Sequence, residues 1–163
     1  MGTPSLMRRT AAIATITTLL VLPSAVVAGE ARVGSATLRS TPFAISTYGP
    51  GVVSGAATLV TDAGTGSTSV VVRVEGVAPG TSHIAHIHLG SCAALQPGLI
   101  IADLGPLVAN THGIASDRTV IDGSTVGLAD CDWWVAVHEG PLNATPQTPA
   151  IAVGPVRFVD GRP

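Results

Sequence analysis

The residues best suited to chemistry in this sequence are histidines, and three of the five lie within one short segment, Thr81–Cys92. The segment reads Thr-Ser-His-Ile-Ala-His-Ile-His-Leu-Gly-Ser-Cys and has the apolar background of a buried strand. Successive side chains of a strand point to opposite faces, so His86 and His88 share one face and His83 lies on the other. Two imidazoles at this spacing can bind one metal ion.

A fourth histidine, His138, ends a second strand-like run that starts at Trp133. If the two strands are neighbours, His86, His88 and His138 converge. Neutral imidazoles suit copper or zinc, and three of them leave an open coordination position, as catalytic zinc or redox copper requires. The alternative is that these histidines only form hydrogen bonds to the adjoining loops.

The other histidines have different predicted roles. We predict a structural role for His83, which points to the opposite face of its strand. His112 lies in a turn and is predicted to be solvated; it becomes a fourth ligand only if that turn folds over the site. Trp133 and Trp134 are predicted to pack in the core, with shielding of the metal as the alternative.

The first 28 residues have the pattern of a secretory signal peptide. Arg8 and Arg9 precede an apolar run at 11–22, and Val26-Val27-Ala28 provides small residues for cleavage after Ala28. The run is too short and too rich in threonine for a membrane anchor. We therefore expect a single domain at 29–163, secreted to the extracellular space or the periplasm.

Composition narrows the class of protein. Only 11% of residues are charged, lysine is absent, and the formal net charge is −2, which argues against nucleic acid and anionic membranes as partners.

Cys92 and Cys131 are predicted to form one disulfide in an exported chain, with a metal role as the weaker alternative.

Alternating apolar residues and turn signals predict an all-β fold, a Greek-key barrel or sandwich of about eight strands. Pro155 is predicted to mark an edge or a bulge, and residues 106–111 are predicted to be irregular. Besides the two histidine strands, we predict strands at 32–39 (with a continuation at 43–47), 55–60, 69–75, 99–104, 113–121, 150–153 and 156–159.

These motifs together resemble a known family. A valine-rich strand, a Gly-Val-Ala-Pro-Gly turn, His86-Ile87-His88, a Gly-Ser-Cys loop and Val135-Ala136-Val137-His138-Glu139 are similar to copper/zinc superoxide dismutases. They are also similar to the CHRD (chordin-type) domains of exported bacterial proteins. The resemblance covers residues 55–156 and implies a superoxide dismutase-like barrel with His86, His88 and His138 as copper ligands and superoxide as substrate.

The sequence departs from the dismutase pattern at several positions. The loop between Cys92 and Leu99 lacks the bridging histidine and the zinc ligands, so the resemblance implies copper without zinc. The guiding arginine is missing near Ala150, which leaves Arg73, Arg118 and Arg157 as cations for the site. Leu142 falls where the family has an aspartate that links its metal sites.

The family's second disulfide cysteine is missing near residues 153–154, so Cys131 would pair with Cys92 instead. Two functions remain open at this point. One is a copper-binding domain with weak superoxide dismutation, and the other is a non-catalytic CHRD-type extracellular module without metal.

Overall fold

A computed structural model describes residues 31–41, 52–62, 64–91, 98–122, 132–140 and 148–159. The predicted signal peptide, both cysteines, Leu142 and the strand continuation at 43–47 lie outside these ranges. The described residues form nine strands and contain no helix long and apolar enough to span a membrane. The strands are β1 (Arg32–Ser40), β2 (Ser54–Thr61), β3 (Thr68–Glu75), β4 (Ser82–Leu89), β5 (Ile100–Val108), β6 (Ile114–Ile121), β7 (Trp133–His138), β8 (Ala150–Pro155) and β9 (Arg157–Val159).

The strands form one antiparallel sheet in the order β5-β4-β7-β8-β1-β2-β3-β6, and β9 pairs with β1. The two ends of this order meet where Ala109 bridges to Ala115 and the Thr119 hydroxyl donates a 2.6 Å hydrogen bond to the Leu104 carbonyl. The sheet is therefore a nearly closed barrel. Strands β4 to β7 lie in the spatial order β7-β4-β5-β6, which is a Greek key. The predicted all-β Greek-key barrel is confirmed.

Alternation along the strands separates an inner face from an outer face. In β3 the side chains of Val70, Val72 and Val74 are buried in the core, while Val71 and Arg73 are exposed. The inner faces of the other strands contribute similar aliphatic side chains, and Trp133 packs edge-on against Phe158 with ring centroids 6.0 Å apart. This core holds the barrel, and the outer face remains available for function.

Strand β5 is longer than predicted, because residues 106–108 continue the strand instead of forming an irregular segment. Gly105 has a φ of 76° and lies at a register shift between Ile84↔Pro106 and His86↔Asp103. A glycine in this conformation makes a bulge that lets the strand continue past it. The Gly-Pro pair therefore marks a bulge within the strand and not its end.

Pro155 ends β8, as the prediction of an edge or bulge implied. The chain leaves the ladder after Pro155, where the Val156 N–H donates 2.8 Å to the Trp133 carbonyl, and resumes pairing with β1 at Arg157. A second irregularity lies between β7 and β8, where Val137 pairs with Ala152 but His138 pairs with Ala150. This bulge is located at the histidine that ends β7.

Candidate metal centre

Strand β4 presents its histidines on two faces, as its alternation predicts. Ala85 and Ile87 belong to the core, so His86 and His88 point to the outer face of the barrel. Both are nevertheless buried, with 7% and 6% of their surface exposed. Two buried imidazoles on the outer side of a sheet need polar partners, because an unpaired buried polar group is costly.

Strand β7 brings the third histidine to the same place. It pairs directly with β4, with His86 opposite Ala136 and His88 opposite Trp134. His138 follows Ala136 by two residues on the outer face and is therefore diagonal to His86. Strands β4 and β7 are therefore neighbours, which is the condition for His86, His88 and His138 to converge.

The three rings form a compact triangle. The ring centroids of His86 and His138 are 5.0 Å apart, those of His86 and His88 are 5.7 Å apart, and those of His88 and His138 are 6.0 Å apart. One ligand nitrogen from each residue lies within 4.8 Å of the others. This group could hold a metal ion, and its geometry does not determine which one.

The remaining nitrogen of each ring faces an oxygen acceptor. His88 Nδ1–H donates to the Gly98 carbonyl at 2.9 Å, and His138 Nδ1–H donates to the Thr148 carbonyl at 2.6 Å. His86 Nε2 lies 3.2 Å from Asp103 Oδ1 on the paired strand β5. Because these acceptors hold a proton on the outer nitrogen, the inner nitrogen of each ring keeps its lone pair.

The inner nitrogens have no hydrogen-bond partner among the described residues. They are His86 Nδ1, His88 Nε2 and His138 Nε2, and all three are buried. An unsatisfied buried acceptor typically costs about 1–3 kcal/mol. Three such atoms that converge on one point are therefore a feature that calls for a ligand, and three imidazole lone pairs match copper or zinc.

Burial favours the neutral form of His86 and of His138. It lowers the pKa of His86, and the neighbouring His138 lowers it further, against an opposing effect of the Asp103 carboxylate. Burial likewise lowers the pKa of His138, although its hydrogen bond to Thr148 opposes the shift. A lowered pKa favours the unprotonated imidazole, which is the form that binds a metal.

His83 differs from the other three histidines, because both of its nitrogens have partners. Nδ1 bonds the His138 carbonyl at 3.0 Å, and Nε2 pairs with the Thr81 hydroxyl at 2.7 Å. The side chain is fully buried, and burial lowers its pKa. The predicted structural role is confirmed, and the ring ties β4 to the end of β7, which carries His138.

His112 is not part of the group that could hold a metal. It is exposed in the turn between β5 and β6, where its backbone N–H donates to the Asn110 side chain. The described structure therefore favours the predicted solvated role for His112 over a fourth ligand.

The two tryptophans of β7 have different positions. Trp133 is part of the core, as predicted, whereas Trp134 lies on the outer face directly opposite His88. The Trp134 indole N–H donates 3.0 Å to the Ser91 carbonyl, and the ring is almost fully buried. It therefore covers one side of the histidine group, which is the shielding position considered as the alternative.

Asp103 is the site residue that the sequence analysis missed. It is a lone carboxylate in an otherwise apolar stretch, Leu99–Leu104, and that contrast was the available signal. Its pairing with His86 depends on the bulge at Gly105, which no simple alternation predicts.

Two of the three arginines proposed for the site lie elsewhere. Arg73 is on β3 and forms a 2.8 Å ion pair with Glu75, and Arg118 is on β6 and donates to the Ser69 hydroxyl. Strand β3 lies on the far side of the barrel from β4 and β7, and β6 is separated from β4 by β5. Arg157 differs from these two residues, because it is exposed on β9, the short strand that follows β8 and pairs with β1.

Comparison of the sequence with models of known protein families gives no match. Comparison with curated proteins gives no match either. The function is therefore inferred from the site.

Proposed function

We propose that this protein binds one copper ion through His86 Nδ1, His88 Nε2 and His138 Nε2. The observation that carries the proposal is the convergence of three buried, unpaired nitrogens whose rings are each oriented by a hydrogen bond or ion pair at the other nitrogen. That pairing of an inner lone pair with an outer acceptor is the usual environment of histidine ligands in metal sites.

The donor set favours copper over other metals. Magnesium and calcium prefer oxygen ligands, whereas imidazole suits copper, zinc, iron and nickel. Among divalent ions a nitrogen site binds copper most tightly. The resemblance to copper/zinc superoxide dismutases supports the same choice.

When bound, copper would supply the one-electron redox chemistry of that family, in which one superoxide is oxidised to dioxygen and a second is reduced, with two protons, to hydrogen peroxide. In this chain the three histidines would hold the ion, Asp103 would orient His86, and Trp134 would exclude water beside His88. We propose weak superoxide dismutation as the accompanying activity.

The second candidate function is a non-catalytic CHRD-type module without metal. It is favoured by the hydrogen bonds that His88 and His138 donate to the Gly98 and Thr148 carbonyls, because such bonds alone can fasten loops to the barrel. Only the unpaired inner nitrogens distinguish this candidate from a copper site.

The decisive experiment is a Cu(II) titration of untagged, metal-depleted protein by calorimetry and electron paramagnetic resonance. We expect one equivalent to bind, with nitrogen hyperfine structure in the spectrum. His138→Ala should weaken binding at least about a hundredfold, since it removes a ligand and the loss of only an outer partner already costs about 10–100-fold. His112→Ala is the matched control, because it removes an exposed histidine outside the group.

If copper bound equally well to the wild type and His138→Ala, or if His112→Ala alone reduced binding, the three-histidine site would be wrong. The CHRD-type module would then be the better account. Superoxide assays on the copper-loaded protein would test the activity separately.

A further inference from the structure

A second feature of the outer face lies beside the histidine group and plays no part in it. It is a groove of about 480 Å³ that runs across β1, β7, β8 and β9. Its lining residues are Ser35, Thr37, Arg39, Ser40, Trp134, Val153, Pro155 and Arg157. We call it the arginine groove.

The sheet register fixes the position of the arginine groove relative to the histidines. His86 pairs with Ala136, Ala136 pairs with Val153, and Val153 pairs with Arg39. Arg39 is therefore three strands from His86 on the same rung of the barrel. Trp134 stands between the two sites, since it is opposite His88 and also lines the groove.

The two arginines lie at opposite ends of the groove. Arg39 is on β1, while Arg157 pairs with Ser35, four residues earlier on that strand. Four residues of extended chain span about 13 Å. A ligand that spans these two backbone positions is therefore elongated.

Between the arginines the groove offers a mixed surface. Trp134, Val153 and Pro155 provide apolar atoms, and the exposed hydroxyls of Ser35 and Thr37 provide hydrogen-bonding groups. Among the residues that the structure describes, none that lines the groove is acidic, although acidic residues outnumber arginines in the whole chain. Among the described residues no hydrogen bond or ion pair involves the Arg39 side chain, in contrast with Arg73 and its partner Glu75.

We propose that the arginine groove binds an elongated organic dianion with a carboxylate at each end and an apolar body between them. Guanidinium groups bind carboxylates through paired, charge-assisted hydrogen bonds. The apolar body would lie over Val153 and Pro155, where its burial adds to the affinity. An inorganic anion would engage only one end of the groove.

The test uses metal-free protein and dicarboxylates of two lengths, butanedioate and decanedioate, at constant ionic strength. Calorimetry measures affinity, and tryptophan fluorescence reports the change at Trp134. We expect saturable binding of one decanedioate, at least about tenfold tighter than butanedioate or the monoanion decanoate, because each of those ligands engages only one guanidinium group.

Arg39→Gln and Arg157→Gln should each weaken decanedioate binding at least about tenfold. Arg118→Gln is the matched control, since it removes the same charge from β6 on the far side of the barrel. His138→Ala should bind decanedioate like the wild type, so the groove and the copper site can fail independently.

Equal affinity for short and long dicarboxylates, or equal loss in Arg39→Gln and Arg118→Gln, would overturn the proposal. Either result would mean that the groove attracts anions only by nonspecific electrostatic attraction. No detectable binding of decanedioate would overturn it as well.

Discussion

At the scale of single residues, the histidines of β4 show how one strand can serve two purposes. His83 satisfies both ring nitrogens within the barrel, whereas His86 and His88 each leave one buried nitrogen unpaired. The difference follows from the faces to which these side chains point. A polar side chain that points into the core needs partners within the protein, whereas a buried side chain on the outer face can take a ligand as its partner.

Asp103 is predicted to act on the metal only through His86. Its carboxylate lies 3.2 Å from His86 Nε2, and its side chain is 65% exposed, so its removal should leave the fold intact. Loss of such an outer partner typically weakens metal affinity about 10–100-fold. We therefore expect Asp103→Ala to bind one copper ion with affinity reduced by at least about tenfold, measured by competition with a chromophoric chelator.

Glu75→Ala provides the control for Asp103→Ala, because it also removes an exposed carboxylate but lies on β3, which β6 and β5 separate from β4. It should bind copper like the wild type. Wild-type affinity in Asp103→Ala would show that the contact between Asp103 and His86 does not contribute to the site.

At the scale of secondary structure, the bulge at Gly105 sets the register that places Asp103 opposite His86. The φ of 76° is costly for residues with a Cβ, so we expect Gly105→Ala to lower the free energy of unfolding by about 1–2 kcal/mol. Relaxation of the bulge should also move Asp103 and weaken copper binding. Urea denaturation and copper competition measure the two effects.

Gly80→Ala separates these two effects. Gly80 also has a φ of 76° but lies in the turn before β4, with open space where a Cβ would be. We expect a similar loss of stability with unchanged copper affinity. If both variants kept wild-type copper affinity, the bulge would have no role in positioning the site.

The strands and the three-histidine group were predictable because both depend on a period of two residues. The alternation in β3 and β7 defines the inner face, and the same alternation places His86, His88 and His138 outside. Asp103, Gly98 and Thr148 were not predictable as partners, because bulges and loop carbonyls determine their positions. The arginine groove escaped prediction for a related reason, since it depends on β1 lying beside β8 and β9.

At the scale of the whole molecule, the predicted disulfide and the predicted export remain predictions from the sequence. We expect no free thiol in the denatured, unreduced protein and a mature chain that starts at Gly29, both measurable by mass spectrometry after alkylation. Reduction should lower stability by about 4 kcal/mol on the chain-entropy model.

Two alkylated cysteines in the unreduced protein would contradict the disulfide. An unprocessed N-terminus on material recovered from outside the cell would contradict cleavage after Ala28. Cys92→Ser with Cys131→Ser controls for the reductant, since that variant should be insensitive to it.

The seam of the barrel has a consequence for how long a bound ion would remain. Strand β5 is joined to β4 along most of its length, but its described backbone bridge to β6 is limited to Ala109 and Ala115. A strand that pairs fully with a neighbour on only one side opens locally more often than the whole protein unfolds. Because β5 carries Asp103, an opening that also detached this strand from β4 would release His86 from its orienting partner. The residence time of the metal would then depend on how often this one strand opens, and not only on the lifetime of the folded barrel.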